Sequence, residues 1–149
     1  MLANTLNLLF QREINKLIVE LNAYKTESNI WEISTGISNS AGNLTLHLIG
    51  NLNTYFGKNI GHTGYVRDRP AEFSLKNIAR EQLIADLENT MAMLDKVFTN
   101  FDNSVLETTY PEKVFDYDLT HEQFFVHLLG HFNYHLGQVN YHRRLMDIN

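Results

Sequence analysis

Apolar residues recur along this chain at helical spacing, in four long stretches separated by polar, irregular ones. Leu6, Phe10, Leu17 and Leu21 follow one another at intervals of four, seven and four, with Ile14 beside them. That spacing is one face of a helix over residues 2–24. Residues 25–40 mix Ser, Thr, Asn and Gly and read as a loop, with Trp31 placed to cap one end of a core. Leu44, Leu48, Leu52 and Tyr55 give the buried face of a second helix from residue 41 to about 57, which Gly57, Gly61 and Gly64 then break. A polar connection over 61–73 follows, containing Arg67-Asp68-Arg69-Pro70. Ser74 is the expected N-cap of a third helix, 74–101, striped by Leu75, Ile78, Leu83, Leu87, Met91, Leu94 and Phe98. After an irregular link holding Pro111, Thr120-x-x-Gln123 has the form of a capping box and opens a fourth helix ending near Met146. Strand character is weak throughout; only residues 113–117 suggest a brief pairing. The pattern predicts an all-α chain, a four-helix bundle with long loops after helices 1, 2 and 3, forming one domain over residues 1–149.

Composition narrows the function classes. With 44% hydrophobic and 19% charged residues and only two Pro, the chain is ordinary globular material rather than disordered. No Cys is present, which excludes disulfides, zinc ribbons and cysteine nucleophiles. No run approaches the roughly 18 consecutive apolar residues of a membrane span. Residues 1–17 carry no basic leader or cleavage site, so a cytoplasmic location is expected. A net charge of −5 without a basic cluster is poorly matched to nucleic acid.

The candidate chemistry lies in seven histidines, at positions 47, 62, 121, 127, 131, 135 and 142. At about 100° per residue, His131 and His135 fall within about 20° of Phe124, on the same stripe as Leu128 and Val139. Their spacing of four places two imidazoles one turn apart, close enough to share a metal ion. Imidazole suits zinc, nickel, copper and iron(II). A third ligand would come from another helix, and His47, flanked by Leu46 and Leu48, is the best placed. Three histidine ligands leave a coordination position open, as in catalytic rather than structural zinc. The same spacing also fits two satisfied core imidazoles, and helix geometry alone does not choose between these readings. His127 is a candidate alternative ligand or ligand partner, and His142 a core-edge residue.

His131-Phe132-Asn133-Tyr134-His135-Leu136-Gly137-Gln138 resembles the last-helix pattern of the DinB/YfiT-like superfamily, His-x-x-x-His-x-Gly-Gln. The segment from Asn39 to Leu52 resembles its second helix, and Arg67 to Phe73 resembles a stretch found in one uncharacterised branch. The resemblance covers most of the chain, with the segments in the family's order. It implies a metal-binding four-helix bundle with a left-handed connection order, paired into homodimers. It also implies one divalent metal ion, nickel or zinc, on His47, His131 and His135. Some relatives are thiol-dependent transferases that use bacillithiol or mycothiol.

The leading functional expectation is therefore a metal-dependent thiol S-transferase acting on small electrophiles, with the small-molecule thiol supplied as cosubstrate. Its rivals are a hydrolase using metal-bound hydroxide and a non-catalytic metal-binding protein. Arg67 and Arg69 could grip cosubstrate carboxylates, or be solvated loop charges. Glu13, on the apolar stripe of the first helix, is a candidate acceptor for a ligand imidazole, or pairs with a nearby cation. Gln138, close beyond His135, is a further candidate for holding a ligand or substrate. Tyr134 and Tyr141 fall off the buried stripe and suit a dimer surface.

Overall fold

A computed structural model describes residues 1–148. Among them the chain is all helical, with no β-strand: α1 (Leu2–Ala23), α2 (Ala41–Leu52), α3 (Arg69–Ser74), α4 (Arg80–Thr99) and α5 (His121–Met146). Short 3-10 turns cover Glu27–Trp31 and Asn103–Val105. Among the described residues no helix is long and apolar enough to cross a membrane.

The stripe on α1 faces inward as expected, with Leu6, Phe10, Ile14, Leu17 and Leu21 all buried. Ser40 caps α2 by accepting from the Asn43 amide. The helix does not stop at Leu52 but widens into a π-helical turn, Asn53–Lys58, that buries Phe56. At α5 the capping box forms in full, the Thr120 side chain accepting from the Gln123 amide and the Gln123 side chain accepting from the Thr120 amide.

One expected boundary differs. Ser74 does not cap the third long helix; it ends the short α3, and α4 begins only at Arg80. Asn77 explains the break. Its φ of 57° lies in the left-handed region, so no right-handed helix runs through it. The polar connection over 61–73 consequently contains a helix of its own, started by Asp68 as N-cap with Pro70 in the first turn. Residues 113–117 form no strand. The chain instead closes its last loop with a single bridge between Thr109 and Thr120.

Helix α1 packs against α4 and α5, and α2 packs against the same two. Successive long helices α1 and α2 therefore stand across the core from each other, which is why a long connection joins them. The short α3 lies on α2. One end of the core is aromatic. Phe56 meets Phe10 at 5.3 Å, Phe98 at 5.1 Å and Phe125 at 4.7 Å between ring centroids. Such pairs contribute roughly 0.5–1.5 kcal/mol each beyond the area they bury. Trp31 closes another part of the core, lying flat on the glycine backbone at Gly42. Further along α5 from the phenylalanine cluster, the same inward stripe carries His131 and His135.

Candidate metal centre

The three histidines singled out by spacing meet at one point between α2 and α5. His131 Nε2 lies 3.2 Å from His47 Nε2 and 3.2 Å from His135 Nε2. The three ligand atoms all fall within 4.8 Å of one another. His47 is buried, and the other two are half-buried.

Hydrogen bonds on the far side of two rings determine what faces the centre. His47 Nδ1 is 3.0 Å from Glu72 Oε1. An ionised carboxylate only accepts, so His47 Nδ1 carries the proton and Nε2 presents a lone pair. His135 Nδ1 is 2.6 Å from Gln138 Oε1, and the amide oxygen likewise accepts from it. His131 therefore sits with its Nε2 between two lone pairs. One proton there could satisfy one neighbour but not both. His131 Nδ1, at the other end of the ring, is buried without a partner.

The surroundings favour the neutral form of two of these imidazoles, His131 and His135. Burial, reinforced by His135 and His47, pushes the His131 pKa down to about 4. Burial also lowers that of His135, partly opposed by the bond to Gln138. Glu72 behaves in the opposite sense. Burial alone would raise it, but His47 and Arg67 outweigh burial and hold the carboxyl below its ordinary value. The donor set is thus three imidazole nitrogens converging on a common point. Zinc–imidazole bonds of about 2.0–2.1 Å place neighbouring ligand nitrogens about 3.0–3.4 Å apart. The two 3.2 Å separations fall inside that window. These residues fit a divalent cation.

The remaining candidates divide. Gln138 meets His135, as just described. Arg67 is neither solvated nor free to grip a ligand. Its Nε donates to Glu72 Oε2 at 2.8 Å and a terminal nitrogen donates to Oε1 at 2.9 Å, with the guanidinium 5.9 Å above the Tyr55 ring. Arg69 is placed differently. It is exposed and rests on the Phe73 ring at 5.5 Å, and Phe73 in turn lies 5.1 Å from the His47 ring. Glu13 is buried as its place on the stripe implied, but its carboxylate accepts from Arg12 at 2.6 Å and Lys16 at 3.0 Å on its own helix. It bonds no histidine. His127 is exposed and packs edge-on against Phe115 at 5.0 Å, outside the cluster of three.

Two of the other histidines have structural partners. His142 Nε2 donates to the Glu32 carbonyl at 2.8 Å, and its Nδ1 accepts from the Tyr24 hydroxyl at 2.7 Å. His121 Nδ1 donates to the Thr108 carbonyl at 3.0 Å. His62 is exposed, with a φ of 50°.

Glu72 is the functional residue that sequence reasoning missed. Asp68-x-Pro70 is a helix-start signal that could have revealed α3, yet nothing local to Glu72 points it at His47. Beside His135 opens a cleft of about 400 Å³ lined by Ile37, Leu44, Tyr134, Tyr141, Leu145 and Gln138. Compared with models of known protein families the chain matches none, and no curated protein matches its sequence.

Proposed function

We propose that this chain is a metal-binding four-helix bundle of the DinB/YfiT-like type. It takes one divalent cation, zinc or nickel, on His47, His131 and His135 and serves as a thiol S-transferase for small electrophiles. The observation that supports the reading best is the convergence of three imidazole nitrogens, two with their far nitrogen committed to an acceptor. Without a cation, lone pairs facing one another across 3.2 Å leave buried polar atoms unsatisfied. A bound divalent ion with an open position supplies Lewis acidity and favours the thiolate form of a thiol at neutral pH.

The protein's own residues do the rest. His47, His131 and His135 hold the ion, while Glu72 and Gln138 orient two of the rings. The chain has no Cys, so the attacking sulfur belongs to a cosubstrate. Arg69, exposed on Phe73 near the His47 ring, is the cation available for a cosubstrate carboxylate; Arg67 is already paired. The cleft beside His135 carries no charged side chain and accommodates an uncharged electrophile.

Elemental analysis tests the reading. Wild type should carry close to one zinc or nickel per chain, and a His131→Ala, His135→Ala double variant should carry none. Wild type that stays metal-free after dialysis against both ions would overturn the site. Metal-loaded protein should then consume an electrophile only when a low-molecular-weight thiol is added. Turnover without thiol would reassign the chemistry to hydrolysis.

A further inference from the structure

We infer that Glu72 is the positioning residue for His47 and that Asn43, Gly50 and Arg67 are present to deliver it; the inference rests on the metal reading above. Glu72 is 6% exposed, and both of its oxygens are engaged. Oε1 accepts from His47 Nδ1 and from Arg67, and Oε2 accepts from Arg67 Nε. A carboxylate that merely balanced Arg67 had no need to enter the core, because Arg67 could pair with it at the surface.

The face of α2 beneath Glu72 is shaped to receive it. Asn43, His47 and Gly50 recur at intervals of four and three, which aligns them on one side of the helix. The Asn43 side-chain amide donates to the Glu72 carbonyl at 2.9 Å and to the Leu75 carbonyl at 2.8 Å, tying down the C-terminal end of α3. Gly50 leaves the space the carboxylate fills, since a Cβ there would overlap Glu72 Oε2. Anchor, ligand and cradle thus lie in a row on α2. Asp68 starts α3 at the register that drops Glu72 onto His47. Arg67 cancels the charge, so the ring gains an acceptor without the centre gaining net negative charge.

The chemical consequence is a defined tautomer. A carboxylate on Nδ1–H leaves Nε2 bare toward the centre and raises its basicity as a ligand. Glu72→Gln removes this control. Arg67 donates to both carboxylate oxygens, so an amide sets its NH2 against one Arg67 N–H whichever way it turns, and the acceptor at His47 Nδ1 is no longer fixed.

Zinc affinity, measured by competition with a chromophoric chelator, should fall about 10–100-fold in Glu72→Gln. It should fall in the same direction in Gly50→Ala, which displaces the carboxylate without changing it. Nitrogen-15 NMR of the metal-free protein should place the His47 proton on Nδ1 in wild type and spread it over Nδ1 and Nε2 in Glu72→Gln. If Glu72→Gln does not fold, Gly50→Ala carries the test. Affinities within twofold of wild type, with only the melting temperature lowered, would reduce Glu72 to a structural ion pair and overturn the proposal. A wild type that takes up no zinc overturns the metal reading, and the His47 tautomer then decides separately whether Glu72 sets the ring.

Discussion

His142→Ala should separate the structural histidines from the metal-binding ones. His142 is 4% exposed and ties together three elements: its own helix α5, the Tyr24 hydroxyl at the end of α1, and the Glu32 carbonyl after the first 3-10 turn. Truncation removes two hydrogen bonds, each contributing about 1 kcal/mol net. The two abandoned partners then fare differently. Glu32 is exposed, so water can reach its carbonyl. Tyr24 is 2% exposed, and its hydroxyl is left dry, at a cost of about 1–3 kcal/mol. Burial also raises the Tyr24 pKa, so the hydroxyl stays a donor and cannot escape by ionising. The expected loss is about 2–4 kcal/mol, a fall in melting temperature of roughly 5–15 °C for a chain of this size. Tyr24→Phe removes one bond but leaves the buried His142 Nδ1 without a donor, and should cost about 1–3 kcal/mol. Adding His142→Ala to Tyr24→Phe should cost less than the two single effects together, because both act on one bond. Thermal unfolding followed by circular dichroism, beside metal analysis, reads both effects. His142→Ala should retain the full metal content of wild type, since the ring lies outside the cluster of three. A fall of less than about 2 °C, or a loss of metal, would refute the assignment.

Two further outcomes follow from local geometry. Gly42→Ala would bring a Cβ to 2.6 Å from the Trp31 ring, so the indole must shift; the expected cost is about 1–3 kcal/mol, with an altered Trp31 emission spectrum as the check. Asp147 ties the end of α5 to the segment that follows α1. Burial would raise its pKa, but the Lys25 and Thr26 amides and the Asn29 side chain outweigh burial and hold it below its ordinary value. Its folded value therefore lies below the unfolded one. Its contribution is complete above the unfolded value of about 4 and is lost as pH falls through the lower folded value. Asp147→Asn should thus lower stability at pH 7 and match wild type more closely under acid, as urea titrations at both pH values would show.

How much of this is legible in the residues follows from what helical periodicity encodes. Periodicity relates positions within one helix, so spacing alone sets His131 and His135 side by side on the inner face of α5. His47 joins them because Leu46 and Leu48 mark its surroundings as apolar. Glu13 shows the limit of that reasoning. The stripe correctly puts its carboxylate inside, but its partners, Arg12 and Lys16, are immediate neighbours on the same helix rather than a distant histidine. A face is encoded locally; a partner is not. The same limit hides Glu72. Helix α3 spans only Arg69–Ser74, too short to show a stripe, and its placement depends on contacts with Asn43 and Gly50, more than twenty residues earlier. Arg67 and Arg69 look equivalent in sequence. The structure separates them because Arg67 precedes α3 and reaches back to the buried Glu72 carboxylate, whereas Arg69 is the first residue of α3 and rests exposed on the Phe73 ring. Ser74 misleads for a related reason: a good capping residue signals a helix start only if the chain ahead can continue, and the left-handed Asn77 prevents that. The legible part of the centre is therefore the pair of ligands on one helix. The part that tunes it is written as a coincidence of two segments, Asn-x3-His-x2-Gly on α2 and Arg-x4-Glu leading into α3, each unremarkable until folding lays one on the other.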